Sequence, residues 1–174
     1  FKDLWGDYGV FTTMWIFGKP AKILFFKKHI KILIKSLKAY KINKPSIEKD
    51  ILKLIKFNIV LNKSYNHLLR VAINKKMISI SLRERKTPKL RFNLMLINYK
   101  RVKPEFKNLK YQLILRYLSK MDNTISDIGL CFNKNILESG TSNILFVKNN
   151  NIYSPSKMIY KGITYNFFKK KLGK

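Results

Sequence analysis

A chain of 174 residues, 46% hydrophobic and 26% charged, is globular rather than disordered and long enough for one domain or two small ones sharing a core. Its 37 Lys+Arg against 9 Asp+Glu give a net charge of +28, which ordinarily points to nucleic acid or an anionic surface. Only six of those cations are Arg, the better group for bidentate phosphate and base contacts, so a nucleic-acid partner is the weaker reading.

Residues 5–17 read as a Gly-containing loop leading into a β-rich run. Gly18-Lys19-Pro20 is a turn, and Ala21 to Phe26 a second short strand. From Lys27 to Lys41, Ile30, Leu33, Ile34, Leu37 and Tyr40 recur at helical spacing and predict one buried stripe, with Ile32 on the opposite side. Pro45-Ser46 opens a second helix. Ser46 is its expected N-cap, Glu48 lies in the first turn, and Ile47, Ile51, Leu54 and Ile55 form the stripe. Extended segments follow at about 66–74, 77–83 and 91–99, with Thr87-Pro88 breaking the pattern between the last two. Val102-Lys103-Pro104 is a connector. Leu109 to Met121 predicts a third helix with Leu109, Leu113, Tyr117 and Met121 at four-residue steps.

The stretch from Asp127 to Thr164 then runs through an apolar strand, a turn, Glu138, a Gly/Ser/Thr loop, a second strand, a hairpin turn at Lys148-Asn149-Asn150-Asn151, a third strand and a helix start. Glu138 sits among apolar strands rather than on a solvated face, so its carboxylate needs a partner. The order of elements predicts an α+β fold with an N-terminal α+β domain at 1–100 and, at 101–174, the start of an incomplete C-terminal domain. The single cysteine, Cys131, lies in an apolar strand without metal-ligand spacing, and His29 and His67 have no third ligand near them. No metal site is therefore predicted, and a reducing, cytoplasmic setting is expected. Lys interrupts the longest apolar runs, so no membrane span is read, and there is no signal-peptide pattern. The chain starts at Phe1 and stops inside the helix-like run Asn166 to Leu172, and is read as a piece of a longer protein.

Several segments resemble, in order, those of one enzyme family. Gly6-Asp7-Tyr8-Gly9-Val10-Phe11, with Thr13-Met14 behind it, resembles an opening G-D-G-V-F-E-T-M. His29, Leu33, Ser36 and Lys38-Ala39 resemble a helix H-x-x-R-L-x-x-S-A-K, and Leu69-Arg70-Val71 a Y-L-R strand. Glu138 with Ser142-Asn143-Ile144-Leu145-Phe146 resembles E-G-x-x-S-N-I-F-F. Tyr153-Ser154-Pro155 resembles Y-T-P, and Gly162-Ile163-Thr164 resembles G-I-T-R. The family is that of the class IV pyridoxal-phosphate enzymes: branched-chain and D-amino-acid aminotransferases and aminodeoxychorismate lyase.

The resemblance implies a two-domain class IV aminotransferase-like fold whose C-terminal, cofactor-binding domain is incomplete here. It implies pyridoxal 5'-phosphate as cofactor, a homodimer, and small substrates (amino acids with 2-oxo acids, or a chorismate derivative). Phe106-Lys107-Asn108-Leu109-Lys110-Tyr111 fits the K-x-L-N setting of the Schiff-base lysine, which makes Lys107 the candidate and Lys103 and Lys110 its rivals. The same likeness assigns Glu138 to the pyridinium nitrogen, Tyr111 to the neighbourhood of the phenolic oxygen, and Ile163 and Thr164 to a phosphate seat at a helix N-terminus. Amino-group transfer is the expected reaction, and pyruvate elimination from aminodeoxychorismate its alternative. A degenerate relative without cofactor and a basic RNA-associated protein are further alternatives. Four positions depart from the family: Ile32 stands for its phosphate-binding Arg, Thr12 for Glu, Lys110 for Asn and Tyr165 for Arg. Lys31, Lys35 and Arg70 are the cations left to replace the missing Arg.

Overall fold

The computed structural model describes residues 3–172, which divide into two compact units interleaved in sequence. The first comprises the chain up to Arg85 together with Lys107–Lys110; the second comprises Lys86–Phe106 and the chain from Tyr111 onward. No helix among the described residues is long and apolar enough to cross a membrane.

In the first unit a four-stranded antiparallel sheet has the order β2-β1-β3-β4, made of β1 (Gly9–Gly18), β2 (Lys22–Ile23), β3 (Tyr65–Asn74) and β4 (Ile78–Glu84). Strands β1 and β3 pair along their whole length, from Gly9↔Asn74 to Gly18↔Tyr65. Strand alternation puts Val10, Thr12, Met14 and Ile16 on one face of β1, and all four are buried. Helix α1 (Phe26–Ala39) packs on β1 with Ile30, Leu33 and Leu37, the expected stripe. Helix α2 (Ile47–Asn58) buries Ile47, Ile51 and Ile55. Each Ile or Leu so buried removes apolar surface worth about 1.5–3 kcal/mol. Ser46 departs from expectation: it makes no capping bond, and its hydroxyl donates instead to Asp50 Oδ2 at 2.8 Å.

Lys107–Leu109 continues this sheet without being a named strand. The Phe11 amide donates to the Lys107 carbonyl at 2.8 Å, the Leu109 amide donates to the Gly9 carbonyl at 3.0 Å, and Val10 bridges Asn108. Gly9 is required at this junction. A Cβ there would lie 2.2 Å from the Ile73 carbonyl oxygen and 2.7 Å from Leu109 Cδ1.

In the second unit β5 (Asn93–Asn98) runs parallel to β6 (Ser126–Phe132), which pairs antiparallel with β7 (Asn135–Ser139). A parallel pair needs a crossover, and it includes α3 (Gln112–Leu118). This helix is shorter than predicted, and only part of the expected stripe turns inward: Tyr117 and, beyond the helix, Met121 pack half-buried on its core side. Ile114 and Leu118 are buried against Ile128 and Leu130, whereas Leu113 is exposed. The neighbouring strand, not the spacing of apolar residues, selects the face. Leu109 is buried too, but within the first unit and ahead of the helix.

Asn133 and Lys134, both at positive φ, close the β6–β7 hairpin, and Glu138 lies within β7 itself. A second hairpin, β8 (Phe146–Lys148) and β9 (Asn151–Tyr153), turns through Asn149 and Asn150, also both at positive φ. Helix α4 (Ile163–Leu172) follows.

Candidate active site

Lys107 belongs to the first unit; Tyr111, Glu138, Ile163 and Thr164 belong to the second.

Backbone pairing with β1 fixes where the Lys107 side chain starts. It is half-buried, and its ammonium lies 5.6 Å from the centre of the Phe11 ring, within cation–π range. Below it, Thr12 Oγ1 and His29 Nδ1 are hydrogen-bonded at 2.8 Å between β1 and α1. Burial lowers the His29 pKa from 6.5 to about 4, and the positive charge of Lys107 adds to the effect. The imidazole is therefore neutral at neutral pH and within electrostatic reach of the amine. The rival lysines have other surroundings: Lys103 is exposed, and the exposed Lys110 donates to the Gly6 carbonyl at 2.7 Å. Ile32 is half-buried, and Lys31 and Lys35 are exposed. Arg70 pairs with Asp3 at 3.0 Å and lies 4.4 Å over the Trp5 ring.

Glu138 is 5% exposed and meets Arg101, 6% exposed, in an ion pair. Arg101 Nε and Nη2 both donate to Glu138 Oε1, at 2.8 and 2.6 Å, and Nη2 also donates to the Pro104 carbonyl at 3.1 Å. The other carboxylate oxygen, Oε2, accepts the Tyr160 amide at 3.1 Å. Asn143 grips the same short segment: its Nδ2 donates to the Tyr160 carbonyl at 2.5 Å and its Oδ1 accepts the Gly162 amide at 3.1 Å. Tyr160 and Gly162, just ahead of α4, are thus tied to Glu138 and Asn143. Ile163 is buried and Thr164 exposed at the start of that helix, where amides lack intrahelical partners. Burial raises the Tyr160 phenol above its ordinary pKa, and the neighbouring Arg101 charge opposes that rise.

Behind Glu138 the loop is held by Asp127, 5% exposed on β6. Its Oδ2 accepts the Ser139 and Thr141 hydroxyls at 2.8 and 2.7 Å, and Ser139 Oγ accepts the Ser142 amide at 2.8 Å. The Tyr111 hydroxyl donates to the Gly140 carbonyl. Gly140 is required, since a Cβ would stand 2.8 Å from Asp127 Oδ1. Within the second unit the fold therefore brings Tyr111, Glu138 and the residues before Ile163 into one hydrogen-bonded network.

Arg101 and Asp127 were missed by sequence reasoning as members of this network. The need for a partner beside Glu138 was legible, but nothing local selects Arg101, 37 residues away. Thr12 was visible only as a departure, and its pairing with His29 explains how α1 and β1 accept a polar residue between them.

The family profile described as amino-transferase class IV matches residues 9–173. No curated protein matches the chain. Among solved structures, a provisionally assigned 4-amino-4-deoxychorismate lyase is similar over 98% of this chain and 73% of its own, with 18% identity and a TM-score of 0.76. Another of that description, from Legionella pneumophila, is similar over 95% of this chain and 69% of its own, with 18% identity and a TM-score of 0.72. The branched-chain amino acid aminotransferase of Escherichia coli is similar over 95% of this chain and 65% of its own, with 15% identity and a TM-score of 0.73. At such identities the likeness is one of fold.

Proposed function

This chain belongs to the amino-transferase class IV family of pyridoxal-phosphate-dependent enzymes, and on that premise we propose that it carries amino-group transfer between an amino acid and a 2-oxo acid through Lys107. The observation that carries the reading is the setting of that lysine: anchored by its backbone to β1, half-buried, and set near a neutral His29.

The donor set fits pyridoxal phosphate by its chemistry. A buried carboxylate suits a cationic ring nitrogen, the amides that begin α4 suit a phosphate, and a lysine amine suits an aldehyde. At Gly162, just ahead of α4, a Cβ would lie 2.9 Å from Asn143 Oδ1 and would push that amide aside. The bound cofactor supplies an electron sink for the bonds at the substrate α-carbon. Lys107 would hold it through its amine, and that amine would move the proton at that carbon. Glu138 would hold the ring-nitrogen proton, Tyr111 would serve the phenolic oxygen, and the Ile163 and Thr164 amides would take the phosphate, Ile32 standing where the family has an Arg.

A second reading, pyruvate elimination from aminodeoxychorismate by the same lysine, is favoured by the Thr141-Ser142-Asn143 wording, which resembles the lyase and D-amino-acid branches. The homodimer and the cytoplasmic setting belong to the same proposal. Reconstitution of the full-length protein tests the core of it. A visible absorption band is expected that disappears in Lys107→Ala and persists in Lys103→Ala and Lys110→Ala. A band that survives Lys107→Ala removes Lys107 from the role. Transfer to 2-oxoglutarate, measured beside pyruvate release from aminodeoxychorismate, separates the two reactions.

A further inference from the structure

Arg101 is the buried cation among the described residues of a chain whose other positive charges crowd its surface. Its burial is not accounted for by stability alone. Desolvating a guanidinium and a carboxylate costs several kcal/mol per ion, and an apolar pair of similar volume is often as stable or more so. The geometry is also one-sided. Both guanidinium nitrogens converge on Oε1 of Glu138, and Oε2 is turned to the Tyr160 amide, at the head of the segment that Asn143 clips in front of α4. Nη2 reaches in addition to the carbonyl of Pro104, three residues before Lys107 in sequence. One side chain thus sets the orientation of Glu138 and neutralises its charge before any cofactor arrives.

We propose that Arg101 is a positioning residue that sets how strongly Glu138 holds the ring-nitrogen proton of pyridoxal phosphate, by fixing the carboxylate's orientation and sharing its charge. The inference rests on the reading of Glu138 as the ring partner. A guanidinium on the same carboxylate competes with the ring cation for its charge, so Arg101 weakens the hold on the proton while keeping the carboxylate in place. Two further titratable groups flank the pair: the Tyr160 phenol, which feels the Arg101 charge, and Asp127 on β6, which bonds to Ser139 one residue further along β7.

The test follows an isotopically labelled ring nitrogen against pH in the reconstituted full-length protein, together with thermal unfolding of the cofactor-free form. Glu138→Gln is expected to move the ring titration to lower pH, and Arg101→Met to higher pH by about one unit or more, the shift typical of removing a like charge at this range. Opposite displacements are not the signature of general loosening. In the cofactor-free protein both single variants melt earlier, and the double variant loses less than the sum of the two. If Glu138→Gln moves the titration and Arg101→Met does not, Arg101 is an ion-pair partner only and the inference is overturned while the reading of Glu138 stands. If Glu138→Gln moves nothing, that reading fails and takes the inference with it. Should Arg101→Met not fold, Arg101→Gln decides by the same criterion: an upward displacement supports the role, and a wild-type titration overturns it.

Discussion

Lys107 and Glu138 are housed by opposite means. The lysine meets an aromatic ring and an uncharged imidazole. Phe11 offers a ring face, and buried His29 is kept neutral partly by the lysine's own charge. Around the glutamate the fold provides countercharge to excess, with two nitrogens of Arg101 and an amide on one carboxylate. If Lys107 exchanges a proton, as proposed, a neutral imidazole beside it suits that role, and an ion pair suits a carboxylate that keeps its charge. The difference lies on the link from packing to chemistry, since both residues sit on β-type backbone with ordinary hydrogen bonding.

The largest effect breaks the lysine side of the contrast. Lys107→Ala should lower turnover by at least about 10³-fold, whereas Lys110→Ala, which removes only the bond to the Gly6 carbonyl, should stay near wild type in steady-state assays. The glutamate side breaks through stability. Glu138→Leu leaves Arg101 buried without its carboxylate and should cost about 3–5 kcal/mol in urea unfolding. Adding Arg101→Met should recover most of that loss. If the double variant is no more stable than the single, the ion pair is not the source of the cost.

A pH series sharpens the comparison. His29 is neutral in the folded chain down to about pH 4 and protonates in the unfolded chain near 6.5, so between those values the unfolded state binds more protons. Stability should be fully present above about 6.5 and fall as pH drops to about 4, by at most roughly 3 kcal/mol. His29→Gln should flatten that slope. Replacing Lys107 by Met should make His29 easier to protonate, so that the fall is smaller and levels off at a higher pH; an unchanged profile would mean that burial alone governs the imidazole. The smallest effect concerns the seat before α4. Asn143→Ala removes two bonds to Tyr160 and Gly162 and should cost about 1–2 kcal/mol, with cofactor release faster than in wild type.

Much of the framework was readable before any coordinates. The α1 stripe of Ile30, Leu33 and Leu37, the long central strand and the Asn149-Asn150 hairpin follow from periodicity and turn chemistry, which act within a few residues. Helix α3 shows the limit. Over seven residues the set Leu113/Tyr117 and the set Ile114/Leu118 are equally periodic; Ile128 and Leu130 on β6 bury the second and take Tyr117 only partly, while Leu113 stays exposed. The candidate site divides in the same way. Glu138 stood out among apolar strands and Lys107 and Gly162-Ile163-Thr164 through the likeness to the family's motifs, whereas their pairing with His29, Arg101 and Asn143 is made across the chain.

From its residues alone this protein was determined to be an α+β chain with an acid, Glu138, whose carboxylate needed a partner. Local spacing carries that much, because helical stripes, turns and the cost of burying a carboxylate are properties of short segments. Which of 37 cations answered, and that a threonine and a histidine would meet beneath the lysine, was decided by tertiary structure. Desolvation and pairing depend on distances between residues far apart in sequence, and those exist only once the strands have found their neighbours.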